Sequence, residues 1–540
     1  MMVSLASAVK ACAIIIQATV GLALAGATTA QTVRTVALSG QPAPGTPSGV
    51  VYGTFDAPAL NAGGRTAFDA TLTGSGVTGA NQRGIWSEGS GPLALIARSG
   101  SQAVGMPNGV TYIDVFFPSA LNDAGQTAFS TFITGANYLG IWSGDSNNLS
   151  LVTHLGRQAP GTPNGVKFDQ FNYPSIVFND AGQTAFASRL YGNGVGASND
   201  RGIWSEGSGS LSLIARKGSR APGTPAGVNY LEVGAPMINA YGATAFRATL
   251  TGNQVTALTD QGIWLERSGI VALVVRTGDQ APGTPSGVKF NSLDGLWLNA
   301  AGQIAFGAYI SGSGISEQGI WSGGSGSLAL VTRTGSQAPG TPSGVNYSFF
   351  NSPVLNDAGQ TAFRAYISGS GVTGANDQGI WSEGSGSLAL VARERNQAPG
   401  TPSGVMYNEL FTPVALNALG QTAFSATLIG SGVTASNDLG IWATDTGGQP
   451  QLIARTGGLL EVAAGDVRKI SSLDFVAGSG NGDGQPSGFN DMGQVAFRAT
   501  FTDGSSGIFV SSAVAIPEPA TLVLQGLASI AVVAVRRRRA

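Results

Sequence analysis

The chain has 540 residues, of which 11% are charged, 42% hydrophobic and 81 glycine, with a formal net charge of −2. That apolar content excludes a disordered polar chain, and the lack of a basic surplus excludes a protein that grips nucleic acid through its phosphates. Low charge, abundant glycine and short apolar runs predict many short strands joined by tight turns.

Taken in chain order, the first predicted element is an export signal. Lys10 precedes a mostly apolar stretch from Ala11 to Leu24, followed by the small residues Ala25-Gly26-Ala27-Thr28-Thr29-Ala30. A charged start, an apolar middle and a small-residue end make a secretory signal peptide over residues 1–30, with cleavage after Ala27 or Ala30. The only cysteine, Cys12, lies inside it, so the mature chain is expected to have neither disulfides nor thiolate chemistry. Residues 31–515 then hold 23 Lys plus Arg against 29 Asp plus Glu, a formal −6, and no nucleic-acid partner is expected.

Next comes a repeat. The motif Asn-x-x-Gly-x-x-Ala-Phe starts at Asn61, Asn122, Asn179, Asn239, Asn299, Asn356, Asn417 and Asn490, at spacings of 61, 57, 60, 60, 57, 61 and 73. Gly-Ile-Trp follows seven times, with tryptophans at 86, 142, 204, 264, 321, 381 and 442, and the eighth copy reads Gly507-Ile508-Phe509. An apolar run such as Leu388 to Arg393 comes next, then a turn such as Gln397-Ala398-Pro399-Gly400-Thr401-Pro402-Ser403-Gly404, then a variable aromatic segment such as Met406 to Phe411. In Gln360 to Ser368, Phe363, Ala365 and Ile367 face one way and Arg364 and Tyr366 the other, which is a strand period. Asn356-Asp357-Ala358-Gly359 before it is turn chemistry, and Gly-Ser-Gly-Ser between the next two runs predicts a hairpin.

Four strands per repeat with apolar residues on both faces, as in Leu388, Leu390 and Ala392 against Ala389 and Val391, require sheets sandwiched between neighbours. The predicted fold is all-β, an eight-bladed β-propeller of four-stranded blades over residues 31–515, with a β-solenoid as the alternative. The register of the ends separates the two. The eighth Gly-Ile-Phe strand has no apolar run after it, and the missing strand stands at the other end, Thr35-Val36-Ala37-Leu38-Ser39. A ring closed by pairing Thr35–Ser39 with Gly507–Ser511 accounts for the offset and removes exposed sheet edges; a solenoid has no use for it.

Few residues suggest chemistry. His154 is the only histidine and stands where Arg98, Arg216, Arg276, Arg333, Arg393 and Arg455 stand in other repeats, so it reads as a tolerated substitution. The arginines are expected to pair with nearby acids, such as Asp377 or Glu383 beside Arg393, and the tryptophans to form blade core. Asn481-Gly482-Asp483-Gly484, in the longest spacing, has too few acids for a calcium loop and reads as a glycine-rich surface loop. No cofactor, metal site or catalytic residue is expected.

The variable segments are the informative ones, because repeats that agree elsewhere differ there: Tyr112 to Phe117, Phe168 to Tyr173, Tyr230 to Val233, Phe290 to Asp294, Tyr347 to Asn351, with Trp297 a one-off nearby. If they line the channel, Tyr112, Phe168, Tyr230, Phe290, Tyr347 and Tyr407 form a ligand-binding set, and with Asp114, Asp169, Glu232 and Asp294 they suit neutral sugars. The acids, with Glu409, also keep open an extracellular carbohydrate-active enzyme, a glycoside hydrolase or lyase with carboxylates at the channel.

The last element is Ile516-Pro517-Glu518-Pro519-Ala520-Thr521, leading into a mostly apolar Leu522 to Val535 and then Arg536, Arg537, Arg538 and Arg539. An apolar stretch this short, interrupted by Gln525, makes a marginal membrane helix, and four arginines hold its end in the cytoplasm. The order of these parts over residues 516–540 resembles the PEP-CTERM sorting signal of Gram-negative bacteria. That resemblance implies an exosortase-type processing enzyme as partner, transient insertion in the inner membrane, removal of the helix, and release to the cell surface or exopolysaccharide matrix. The repeats resemble a bacterial group of tandem Asn-x-x-Gly-x-x-Ala-Phe proteins with varied C-terminal anchors, which implies destination and architecture rather than chemistry. The expected function is that of an exported, non-catalytic repeat protein that contacts exopolysaccharide or other surface proteins.

Overall fold

A computed structural model describes residues 33–512, apart from 136–137, 172–175, 325 and 479–481. The export signal with Ala27 and Ala30, and the tail with Pro517, Glu518, Pro519 and Arg536 to Arg539, lie outside the described residues. Among the described residues every regular element is a strand, and no helix is long and apolar enough to cross a membrane.

The strands form eight antiparallel sheets, the blades of a propeller. Blade 6 shows the plan: an inner strand in two parts (Asn346–Phe350 and Val354–Leu355), a second (Thr361–Ser368), a third (Gln378–Ser382) and an outer one (Ala389–Arg393). The second and third strands are buried almost throughout, because each is covered by the neighbouring blades on both faces. The outer run, whose apolar residues argued for a sheet sandwiched on both faces, is only half-buried, since it forms the rim.

The ring closes as expected. Val33–Leu38 pairs antiparallel with Ser506–Ser511, Val33 opposite Ser511 and Leu38 opposite Gly507, so the first described strand is the outer strand of blade 8. Its other strands are Ser506–Ser511, Ala496–Phe501 and Asp466–Asp474, with a short fifth strand, Leu459–Ala463, paired to the last of these.

Each of the seven Gly-Ile-Trp tryptophans is core, as predicted, with no exposed surface. Removing a ring of this size from water is worth on the order of 5 kcal/mol before conformational entropy is subtracted. In blade 6 the ring of Trp381 stands edge-on to Tyr347 at 5.0 Å. Its Nε1 donates to the Pro339 carbonyl, 3.0 Å away in the turn that leads into the same blade. The bond recurs in the other six tryptophan blades, with Val104 in place of proline in blade 2. The glycine of Gly-Ile-Trp is equally dictated, because a Cβ on Gly379 would lie 2.5 Å from the Trp381 ring.

At the axis the motif asparagines form a closed circle. Each Nδ2 donates to the main-chain carbonyl of the asparagine in the next blade, at 2.8–3.1 Å, from Asn61 to Asn122 and onward until Asn490 returns to Asn61. Each Oδ1 accepts from the main-chain N–H four residues on, as Asn356 does from Gln360 at 2.8 Å, and so closes its own turn. The eight side chains are buried.

The expected surface loop is not one. Asn481 lies outside the described residues, but Gly482, Asp483 and Gly484 are buried, in a segment that crosses the axis beside the circle. Its carbonyls accept from the innermost strand edges of four blades: Ser487 from Leu60, Gly484 from Phe178, Asp483 from Ile238 and Gly478 from Leu416, at 2.7–3.3 Å. Inner strands leave N–H groups facing the channel, and burying them unpaired is costly. The insertion that lengthens the last spacing pairs four of them. Trp297 is half-buried and packs against the clusters containing Leu298 and Leu410.

Candidate functional site

Every inner strand carries a β-bulge at the same place, between Tyr347 and Phe349 in blade 6 and at the equivalent residues of the other seven. A bulge sets two residues against one on the neighbouring strand, so two consecutive side chains leave the core together. Tyr347 and Phe350 are buried, whereas Ser348 and Phe349 between them are exposed. The bulges come well before the asparagine turns along their strands, which places them toward the opposite end of the ring.

The bulge overturns the ligand-binding set. Tyr112, Phe168, Tyr230, Phe290, Tyr347 and Tyr407 are 0–2% exposed and pack on the blade tryptophans, so they are core and cannot touch a ligand. The accessible positions are the two residues after each ring: Ile113 and Asp114, Asp169 and Gln170, Leu231 and Glu232, Asn291 and Ser292, Ser348 and Phe349, Asn408 and Glu409. Of the acids named from the sequence, Asp114, Asp169, Glu232 and Glu409 fall at these outward positions, and Asp294 follows two residues after Ser292. They come from five different blades, and no group of three or more that could hold a metal ion is present among the described residues. Asn172 and Tyr173 lie outside the described residues.

The arginines are held as expected by a nearby acid in one case, Arg333, and by a main-chain carbonyl in the other five. Arg98, Arg216, Arg276, Arg393 and Arg455 each donate Nε to a main-chain carbonyl of the preceding loop at 2.7–3.0 Å, and Arg333 pairs with Glu317 at 2.6 Å. Glu383, named beside Arg393, instead accepts from the Thr361 N–H and hydroxyl at the start of the second strand. His154 holds the carbonyl of its neighbour Leu155 at 2.7 Å.

Two seams between blades collect charge. At the seam of blades 8 and 1, Arg498 donates to the Phe55 carbonyl at 2.9 Å and lies 3.5 Å from Asp474. Beside it Asp69 is 1% exposed. Burial, then a hydrogen bond and the charge of Asp56, push the Asp69 carboxyl up to about 8, with Arg83 opposing. Burial thus favours the neutral form of Asp69, with Asp56 as its neighbouring carboxyl. Carboxyls in hydrogen-bond contact are closer than the roughly 5 Å of a retaining glycosidase pair. Sequence reasoning missed Asp69; the signal was an acid in the otherwise apolar run Thr66-Ala67-Phe68-Asp69-Ala70.

At the seam of blades 3 and 4, Lys217 pairs with Glu232 at 2.5 Å and Asp200 at 3.7 Å, Arg201 with Glu232 at 3.3 Å, and Arg189 with Asp200 at 3.6 Å. A cavity of about 780 Å³ opens beside them, lined by Ser198, Asn199, Arg216, Lys217, Asn229 and Leu231 among others.

A family model described as "Family of unknown function (DUF7453)" matches the chain twice, over residues 16–280 and 259–523. No curated protein matches. Among solved structures, the chain is similar to an oligogalacturonate lyase in complex with manganese, at 12% identity over 88% of this chain and 99% of that one, with a TM-score of 0.36. It is similar to puromycin hydrolase at 12% identity over 87% of this chain and 62% of that one, with a TM-score of 0.36. It is also similar to the β-propeller domain of the Trilobed protease from Pyrococcus furiosus, described as having an open velcro topology, at 7% identity over 75% and 99% of the two chains, with a TM-score of 0.38. None of these likenesses bears on function.

Proposed function

The chain belongs to this family of unknown function (DUF7453), and from that premise we propose that it is an exported, non-catalytic propeller that contacts exopolysaccharide at the cell surface or in the extracellular matrix. One observation carries the binding part of this reading. The repeated residues hold the ring together, through the asparagine circle, the tryptophan bonds and the turn glycines, while the two bulge residues of each inner strand differ from blade to blade and face outward. Hydroxyls, amides, acids and scattered apolar side chains at those positions suit the mixed polar and apolar surface of a sugar chain.

Export and sorting are supported by the sequence of residues 1–30 and of Pro517-Glu518-Pro519 with its apolar stretch and four arginines. An exosortase-type enzyme would cut there after transient insertion in the inner membrane. The test is one strain comparison. The wild-type chain is expected to be released and to bind polysaccharide on a glycan array. With Pro517, Glu518 and Pro519 replaced by alanine, it is expected to stay uncut in the inner membrane. Normal release of that variant would remove the sorting reading, and an array without binding would remove the saccharide reading.

A further inference from the structure

The seam of blades 3 and 4 differs from its neighbours in ways that cohesion does not require. The residue after the outer-strand arginine, or after His154 in its place, is Ser99, Leu155, Thr277, Thr334, Glu394 or Thr456 in other blades, and only here a lysine, Lys217. At the seam of blades 4 and 5 the residues equivalent to Arg201, Lys217 and Glu232 are Gln261, Thr277 and Ser292. A near-neutral arrangement therefore suffices to hold two blades together. The cavity wall itself holds two cations, Arg216 and Lys217, and no acid, while the acids Asp200 and Glu232 stand behind it in ion pairs with Lys217.

The network is also incompletely satisfied. Asp200 Oδ1 and Glu232 Oε2 lie in ion-pair range of Lys217 and Arg201 without a hydrogen bond, and the Nε atoms of Arg189 and Arg201 are buried with no hydrogen-bond partner. Arg216 lines the cavity and commits its Nε to the Asn199 carbonyl, and that bond does not use the two outer nitrogens of its guanidinium. A guanidinium presented this way binds a carboxylate with two parallel hydrogen bonds. The rest of the wall supplies Ser198, Ser219, Asn229 and Thr251 for hydroxyls, and Leu231, which is 46% exposed, as an apolar face. A volume of about 780 Å³ is within the range of ligand clefts, about 300–1,000 Å³.

We infer that this cavity binds an acidic saccharide segment, with a uronic-acid carboxylate on Arg216 and Lys217 and the sugar hydroxyls on the polar wall. The inference rests on the saccharide reading above and narrows it to a carboxylated sugar at one seam, away from the neutral class suggested by the aromatic rings.

Titration calorimetry of the full chain with trimannuronate and with β-1,4-mannotriose, the same skeleton without carboxylates, separates the outcomes. Trimannuronate is expected to bind, more weakly at high salt, and mannotriose at least tenfold less tightly. The triple variant Arg201→Gln, Lys217→Thr, Glu232→Ser gives this seam the residues of the next one, so it is expected to fold, which its melting curve checks. It is expected to lose at least tenfold in affinity for trimannuronate. Equal affinity in the variant would overturn the site, and equal affinity for the two sugars would overturn the acidic class. Failure to bind trimannuronate would overturn the inference, while the saccharide reading would still stand on binding to other glycans on the array.

Discussion

Asparagine is fixed at the axis because the position needs a donor and an acceptor on one short side chain. Its carbonyl closes the turn it begins, and its amide reaches the next blade. Aspartate would lack the donor and glutamine would be too long for both. The turn role was legible in Asn-x-x-Gly, but the second role was not, because the partner lies 57 or more residues away and no local pattern points to it. Asp69 is the opposite kind of residue, one that strains its site. Its carboxyl is raised from 3.8 to about 8, so between those values the folded chain keeps a proton that the unfolded chain has released. Stability from this group is complete below about pH 4 and is lost as pH rises through 8. Asp69→Asn keeps the shape and still offers Asp56 an N–H. Wild type is expected to lose about 4 kcal/mol between pH 5 and 8 from this group, and the variant much less. Melting temperatures of both at the two pH values check it, and parallel slopes would refute it.

At the scale of the element, the inner strand explains why six rings were placed on the wrong side. The rings are expected at the channel on the condition that the variable segments line it, and a regular period of two would put each aromatic on the same face as the residue two further on. The sequence does carry the bulge. A large apolar residue recurs three positions after each ring, as Phe55, Val115, Phe171, Val233, Leu293, Phe350 and Leu410, and Leu473 stands three after Ile470 in blade 8, which breaks the alternation in every repeat. Both residues of each such pair are buried, and only an extra residue between them allows that. The segment crossing the axis was illegible for another reason, since its glycines match those of any surface loop and only the ring around it decides the environment. Gly484 has a φ of +76°, and a Cβ there would lie 2.8 Å from the Ile238 carbonyl. Gly484→Ala is therefore expected to cost about 1–3 kcal/mol by straining the backbone and displacing the bonds to Phe178 and Ile238. Chemical denaturation measures it; an unchanged midpoint would return the segment to the status of a loose loop.

For the whole molecule, closure was readable because it depends on counting rather than on contacts. Eight third strands and seven following outer strands, with one spare strand at the start, admit few arrangements, and the pairing of Val33–Leu38 with Ser506–Ser511 is the one found. The asparagine circle depends on the same closure, since its last bond runs from Asn490 to Asn61, and Arg34 adds a bond to Glu88 of blade 1 at 2.5 Å. Without residues 33–38 the strand Ser506–Ser511, buried along its whole length, would become an open edge, and Ala37 and Leu38 would leave the core. An exposed apolar edge both destabilises the sheet and recruits other chains. A chain lacking these six residues is expected to melt well below the parent, with a loss of several kcal/mol, and to self-associate. A synthetic peptide of residues 33–41 added in excess is expected to restore the monomer and much of the melting temperature, because it supplies the missing strand in trans. Light scattering and thermal melts with and without the peptide decide it. A truncated chain that stays monomeric and melts like the parent would show that the ring is held by its blade-to-blade contacts alone and that the strand is an ornament of the rim.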